Sequence, residues 1–240
     1  MKRVFDFMFL ALAVFFFASC DPAEQGYTYE RYLDDIYTVN KHKVRAEFSD
    51  SLIPVANMDK YGFSTGDRVR MLLRYHYDSQ TMRQPEYEIH SVGEVIPTLP
   101  IVAEGSINAA EYNVPFEGLY RYEFNDRYMK PVWVWNRCQN INISSYSDAD
   151  ATAYAMTVRG VKDGCIELGL YAKSDTPSND PKAKLLTFDL SNVADFLTEE
   201  QKSSIASLDS LRTRIFLTRK AENEIKEIDI IGGVIANPVK

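Results

Sequence analysis

The chain has 240 residues and a formal net charge of −7, with 27 Lys and Arg against 34 Asp and Glu. This acidic balance argues against a nucleic-acid partner, because Lys and Arg side chains would be needed to neutralise the phosphates. The chain contains 15 Tyr and 13 Phe but only 11 Gly and 10 Pro. That composition is typical of a folded chain and excludes a disordered or fibrous one.

Residues 1–19 have the pattern of an export signal. Lys2 and Arg3 give a positive start, and the run that follows them is almost wholly apolar, as in the n-region and h-region of a signal peptide. The run is short for a membrane span, which needs about 20 apolar residues. An uncleaved anchor helix followed by an incidental cysteine is the alternative interpretation.

The end of this segment favours lipidation. The stretch Phe17-Ala18-Ser19-Cys20 resembles a lipobox, in which the chain is cut directly before a cysteine whose thiol carries diacylglycerol. We therefore predict that Cys20 becomes the N-terminus and the lipid anchor, because two or more acyl chains hold a protein on a membrane stably. Residues 20–28 are then expected to form a short polar tether.

Residues 29–96 are predicted to form a small β domain. The alternation is clearest in DRVRMLLRYHYD, where Val69, Met71 and Leu73 share one face of a strand. Similar patterns predict five strands: Tyr29–Asn40, Lys43–Phe48, Ser51–Ala56, Arg68–Tyr77 and Glu86–Ile96. Five short strands without an intervening amphipathic helix favour a small OB-type barrel.

Residues 97–240 are predicted to form a second β domain, which begins at Pro97. Alternating runs indicate roughly eight further strands, among them one continuous strand over Val132–Ser144. Asp163-Gly164 predicts a hairpin turn, and TEEQ from Thr198 predicts the capped start of one short helix. This pattern favours an antiparallel β-sandwich.

Five stretches of the chain resemble the NigD-like lipoprotein family. They are FASCD, STGDRVRMLLRY, VWVWNRCQNINISSY, DGCIELGLYAKSD and LLTFDLSNV. The resemblance implies an OB-type barrel and a β-sandwich behind a lipobox, and a place on the outer membrane, at the cell surface or on the periplasmic face. It implies little about activity, although the family name comes from a bacteriocin locus. The chain departs from the family pattern at Tyr171-Ala172, where His-Asn is usual.

The sequence predicts no catalytic residues, no cofactor and no resident metal. It contains no nucleophile-elbow, zincin, P-loop or dinucleotide signature. If the strands on either side of residues 78–85 pair as a hairpin, His76 and His90 share a face with Arg74 and Glu88. Two histidines and a glutamate can ligate a metal, but an arginine among them favours an ordinary solvated face.

Trp133 and Trp135 are candidate ligand contacts, because alternate residues of one strand share a face and lie roughly 7 Å apart. Two such rings suit a platform on which a sugar or a protein side chain could stack. Large aromatic rings also fill β-sandwich cores, and we favour that interpretation. Their exposure would discriminate between the two.

Two further features concern covalent modification. Cys138 and Cys165 could form a disulfide in an exported protein, although two unpaired thiols are the default expectation. Asp50-Ser51-Leu52 and Asp209-Ser210-Leu211 resemble the Asp-Ser-apolar acceptor of bacterial O-glycosylation. Ser51 and Ser210 are therefore candidate glycosylation sites, provided that their hydroxyls are exposed.

Together these patterns predict a lipid-anchored envelope protein that binds a partner and performs no chemistry. The expected partner is an envelope protein, within a surface or bacteriocin-related system, and the protein itself is expected to be a monomer. A glycan-binding lipoprotein is the alternative function.

Overall fold

The computed structural model describes residues 28–78, 86–108, 110–124, 127–148, 152–221 and 224–240. The predicted signal peptide and Cys20 lie outside these residues, as does nearly all of the tether. Strands dominate the described ranges, which confirms the predicted all-β class with one short helix, α1 (Glu199–Ile205). Short 3-10 helices cover Met58–Lys60 and Val193–Phe196. No helix in the described ranges has the length and apolar character of a membrane span.

The first sheet forms an OB-type barrel. Its strands are β1 (Thr28–Asn40), β2 (Lys43–Ala46), β3 (Leu52–Pro54), β4 (Arg68–Asp78) and β5 (Glu86–Ile96). They pair in the order β3-β2-β1-β4-β5, and a bridge between Val55 and Tyr87 joins the two ends of the sheet. The predicted alternation is confirmed, because Val69, Met71 and Leu73 of β4 are buried in the core of this barrel.

The second sheet has nine strands. They are β6 (Thr98–Ala103), β7 (Phe116–Leu119), β10 (Val132–Trp135), β11 (Cys138–Ser147), β12 (Ala153–Lys162), β13 (Cys165–Lys173), β14 (Pro177–Asp189), β15 (Ser210–Ala221) and β16 (Glu224–Ala236). Between β7 and β10 the short strands β8 (Tyr122–Phe124) and β9 (Arg127–Met129) pair only with each other and form a separate ribbon.

This second sheet closes on itself. β7 pairs with β11 on one side and with β15 on the other, so seven strands complete a ring. The pairs β6–β12, β6–β14, β7–β15 and β13–β15 are parallel. Where an antiparallel β-sandwich was expected, the structure thus has a barrel of mixed parallel and antiparallel strands. The sequence could not predict this, because alternation of residues identifies a strand but not the direction of its neighbour.

Residues at local turns account for two correct predictions and for one wrong one. Asp163 and Gly164 adopt positive φ between β12 and β13, as predicted, and the capping box between Thr198 and Gln201 begins α1. The predicted single strand Val132–Ser144 is wrong. Asn136 and Arg137 adopt φ values of 47° and 62° and turn the chain back, so β10 and β11 form a hairpin.

An apolar cluster joins the two barrels. Ile36 of β1 and Ile96 of β5 pack against Trp133 of β10 and Leu185 of β14, and all four side chains are buried. This contact covers part of the outer face of the first barrel, where its last strand leads through Pro97 into β6. We call the contact region between the two barrels the junction.

A buried ion pair lies at the junction. The Arg68 guanidinium, which is 4% exposed, donates to both carboxylate oxygens of Glu47 at 3.0 and 2.9 Å. The second barrel supplies the remaining partners: Arg68 also donates to Asn140 Oδ1 at 2.7 Å and to Thr187 Oγ1, and Trp133 Nε1 donates to Glu47 Oε1 at 2.9 Å. The first barrel therefore contributes both charges, and the second barrel completes their hydrogen bonding.

We expect Arg68→Ala to lower the free energy of unfolding by about 3–5 kcal/mol, because it leaves the Glu47 carboxylate buried without its cation. Chemical denaturation measures this loss. Arg70→Ala is the matched control on the same strand: its pair with Asp34 is partly exposed and should contribute about 1 kcal/mol or less. Equal losses in Arg68→Ala and Arg70→Ala would contradict the importance of the buried pair. The double variant Glu47→Gln, Arg68→Met removes both charges and should be more stable than Arg68→Ala; equal stability would also contradict it.

Candidate functional site

A cavity of about 470 Å³ opens in the wall of the second barrel, where β7 and the start of the following loop face β15 and β16. We call it the slot. It is lined by Glu117, Gly118, Leu119, Tyr120, Ile143, Leu217, Arg219, Ile228 and Ile230. Its volume lies in the range of small-molecule sites, roughly 300–1,000 Å³.

The floor of the slot is aliphatic. Ile143 of β11 and Leu217 of β15 belong to the buried core of the second barrel, and Leu119, Ile228 and Ile230 pack against that core while half-buried. The slot therefore leads from the surface directly to core side chains. A hydrocarbon group that enters it would leave water without displacing any polar group.

The rim of the slot carries its polar groups. Arg219 is exposed, and its Nε donates to the backbone oxygen of Glu117 at 2.8 Å. Among the residues that the structure describes, Arg219 has no carboxylate partner within ion-pair distance. The Tyr120 hydroxyl donates to Glu117 Oε2 at 2.5 Å, and this bond to a carboxylate raises the pKa of Tyr120.

The β8–β9 ribbon leaves the barrel at the rim of the slot. Both of its roots are fixed to Asn142 of β11: Tyr120 N donates to the Asn142 oxygen at 3.0 Å, and Asn142 N donates to the Pro131 oxygen at 2.8 Å. The buried Asn142 side chain also donates to the backbone oxygens of Tyr120 and Arg121. One asparagine thus holds the ribbon beside the slot.

The lining of the slot combines aliphatic side chains with three polar ones. They include one carboxylate, one guanidinium and one phenol, and none of them is a histidine, cysteine or serine. A general acid or base must lie within hydrogen-bond reach of the atom whose proton it transfers. In this lining the Glu117 carboxylate already accepts a hydrogen bond from the Tyr120 hydroxyl. In the ranges that the structure covers, no group of three or more His, Cys, Asp or Glu side chains could hold a metal ion.

The predicted hairpin between β4 and β5 forms, and it carries the two histidines on a solvated face. His76 Nδ1 lies 3.5 Å from a Glu30 carboxylate oxygen, and the Arg74 guanidinium binds Glu88. His90 makes an edge contact with the Tyr32 ring. The two histidines therefore lie on a solvated surface, beside the ion pair of Arg74 and Glu88.

The two tryptophans separate into a buried ring and a half-buried one. Trp133 is 6% exposed, and its Nε1 donates to Glu47, so its ring is buried at the junction between the barrels and not in a β-sandwich core. Trp135 is half-buried, and its ring lies 5.2 Å from that of Phe48, which is 53% exposed and has φ 61°. Trp135 therefore keeps an aromatic neighbour at the surface, contributed by the first barrel.

The modification candidates have different surroundings. Cys138 and Cys165 are free thiols in the structure, so the alternative of a disulfide is not realised, and burial raises the pKa of Cys138. Ser51 and Ser210 are both exposed, as an acceptor hydroxyl must be. Leu211 beside Ser210 is buried in the second core, whereas the neighbours of Ser51 are exposed.

A half-buried carboxyl group lies close to the junction. Burial raises the pKa of Asp35 on β1 to about 7, and the negative charges of Glu47 and Asp34 act in the same direction. The backbone N–H groups of Ile36 and Glu47 lower it, but by less. In the folded protein Asp35 is therefore half protonated at about pH 7.

Comparison with solved structures shows what the fold is similar to. A candidate toxin-related protein from Parabacteroides distasonis is 14% identical, with a TM-score of 0.54 over 85% of this chain and 93% of that one. A NigD-like immunity protein from Bacteroides caccae is 7% identical, with a TM-score of 0.52 over 84% and 96%. A candidate lipoprotein from Bacteroides fragilis is 6% identical, with a TM-score of 0.54 over 85% and 97%.

No protein-family model and no curated protein matches the sequence. The similarity is therefore one of fold, and at these identities it carries no residue of a site from one protein to another. The chain has the fold of a NigD-like protein, which confirms at that level the resemblance seen in its sequence.

We expect Asp35→Asn to change how stability depends on pH. The pKa of Asp35 is raised from 3.8 to about 7, so wild type should lose stability as pH rises between these values. The asparagine does not titrate, so the variant should gain on wild type across this interval, by no more than about 4 kcal/mol at about 1.4 kcal/mol for each pKa unit. Denaturation at pH 4.5 and pH 8 measures the difference; a constant difference would contradict the raised pKa.

We expect Asn142→Ala to lower the free energy of unfolding by about 1–3 kcal/mol, because backbone oxygens at the ribbon root lose their donor. Hydrogen exchange at the Tyr120 amide should also become faster. Asn179→Ala, which alters an exposed asparagine of β14, is the control and should change neither quantity. Unchanged exchange at Tyr120 would show that Asn142 does not hold the ribbon.

Proposed function

We propose that this protein is a non-enzymatic binding protein of the cell envelope, held on the outer membrane by a lipid on Cys20, and that the slot is its ligand site. The observation that carries the proposal is the slot itself: an open cavity with an aliphatic floor and a few polar groups at one edge. Such a combination is the usual anatomy of a ligand site.

The proposed location has two supports. The lipobox pattern ending at Cys20 accounts for an anchor, and one protein of similar fold is a candidate lipoprotein. The proposed role in a surface or bacteriocin-related system draws on two other proteins of similar fold, a NigD-like immunity protein and a candidate toxin-related protein. These supports are likenesses of fold and of sequence pattern.

Glycan binding is the second candidate function, and one observation favours it. Phe48 and Trp135 form a surface aromatic pair to which both barrels contribute. Aromatic faces of this kind stack on apolar faces of ligands. The exposed Phe48 also has a positive φ, a conformation that bulky residues rarely adopt and that often marks a functional site.

Site-specific photo-cross-linking on intact cells tests the proposal. A benzophenone amino acid in place of Tyr120, at the rim of the slot, should yield one discrete adduct, whose mass identifies its chemical class. The same group in place of Ile231, which is 57% exposed on the outer face of β16, is the control and should yield none. Cys20→Ala, which releases the anchor, should abolish the adduct at Tyr120.

Adducts of equal yield at both positions, or none at either, would overturn the slot as the ligand site. A polysaccharide adduct from a probe at Phe48, reduced by Trp135→Ala and absent at Tyr120, would replace the proposal with glycan binding.

A further inference from the structure

We infer that the slot binds a single-chain amphiphile with an anionic carboxylate head, the chemical class of a fatty acid. This inference rests on the proposed function, because it names the ligand of the same site. It follows from the floor of the slot, its rim and the position of one cation.

The floor selects for hydrocarbon. Its five side chains are all aliphatic and carry no hydrogen-bonding atom: Leu119, Ile143, Leu217, Ile228 and Ile230. A hydroxyl or an amide placed against them would lose its water without gaining a partner, at a cost of about 1–3 kcal/mol for each group. Sugars and extended peptides carry such groups along their whole length, whereas an alkyl chain carries none.

The polar groups of the slot lie at its rim. Glu117 lies in β7, Tyr120 in the loop after it, and Arg219 near the end of β15. A ligand that fills the slot therefore meets hydrocarbon along its buried part and polar groups where it reaches solvent. An amphiphile with one apolar chain and one polar head has this distribution.

Arg219 determines the charge of the head. Its guanidinium is exposed and uses Nε to bind the Glu117 backbone oxygen, while its terminal nitrogens have no carboxylate partner in the part of the chain that the structure describes. A guanidinium binds a carboxylate through charge-assisted, often bidentate, hydrogen bonds. Glu117 also lies on the rim, where its carboxylate accepts from the Tyr120 hydroxyl and its backbone oxygen accepts from Arg219.

Fluorescence titration with cis-parinaric acid tests the inference. The probe is a polyene fatty acid that becomes fluorescent when it leaves water, and the protein is the mature chain carrying Cys20→Ser, which has no lipid of its own. We expect saturable binding that oleic acid competes away. Ile230→Trp, which fills the slot, should abolish binding, and Ile231→Trp, on the opposite face of the same strand, should leave it unchanged.

The role of Arg219 is tested by exchanging its charge. Arg219→Gln should weaken oleic acid binding by about tenfold, equivalent to about 1.4 kcal/mol, and leave oleyl alcohol binding unchanged. Arg219→Lys keeps the cation and should retain most of the affinity for the acid. Equal weakening of acid and alcohol would show that Arg219 only maintains the shape of the slot, and would overturn the carboxylate head.

Absence of saturable binding to wild type would overturn the inference, as would binding that Ile230→Trp leaves unchanged. Failure of the inference and failure of the proposed function remain distinguishable. A discrete polypeptide adduct at Tyr120 on cells, together with no fatty-acid binding in solution, rejects the amphiphile and keeps the slot as a ligand site. Loss of both results rejects both.

Discussion

The buried pair of Arg68 and Glu47 determines how the two barrels are joined. Burying a guanidinium and a carboxylate away from water is unfavourable unless their remaining hydrogen-bonding positions are filled. Asn140, Thr187 and Trp133 of the second barrel fill them. Because these groups must meet two charges fixed in the first barrel, another orientation of the barrels would leave a buried charge partly unsatisfied.

With the barrels joined there, the slot is left open by the geometry of the second sheet. β7 has only four residues, and its strand pairing with β15 consists of a single residue pair, Phe116 with Arg219. Elsewhere β16 approaches β10 closely at Gly233, where a Cβ atom would lie 2.7 Å from Val134 Cγ2. The wall of the barrel is thus tight beside Gly233 and open beside β7, and the opening exposes an aliphatic floor.

Much of the fold could be predicted from local patterns. The bounds of β5 match the prediction, and so do the capping box at Thr198 and the turn at Asp163-Gly164, because each depends on residues close in sequence. The turn at Asn136 and Arg137 was missed because arginine seldom adopts positive φ. The mixed pairing was missed because alternation of side chains does not reveal which strand lies alongside.

Local sequence patterns could not predict the buried polar residues of the junction or the slot. Alternation places Arg68 on the polar face of β4 with Arg70 and Arg74, and only the second barrel makes Arg68 a buried residue. The slot combines residues of β7, β11, β15 and β16, which are far apart in the chain. The sequence predicts Trp133 and Trp135 as candidate ligand contacts, but in the structure they pack at the junction between the barrels.

Equilibrium unfolding followed by two signals tests most directly whether the junction makes the two barrels one unit. The only two tryptophans are Trp133 and Trp135, so tryptophan fluorescence reports on the junction, while far-ultraviolet circular dichroism reports on the strands of both barrels. The structure predicts coincident transitions at one denaturant concentration. A fluorescence transition at lower denaturant than the loss of strand signal would show that the barrels separate before they unfold, and would contradict the account.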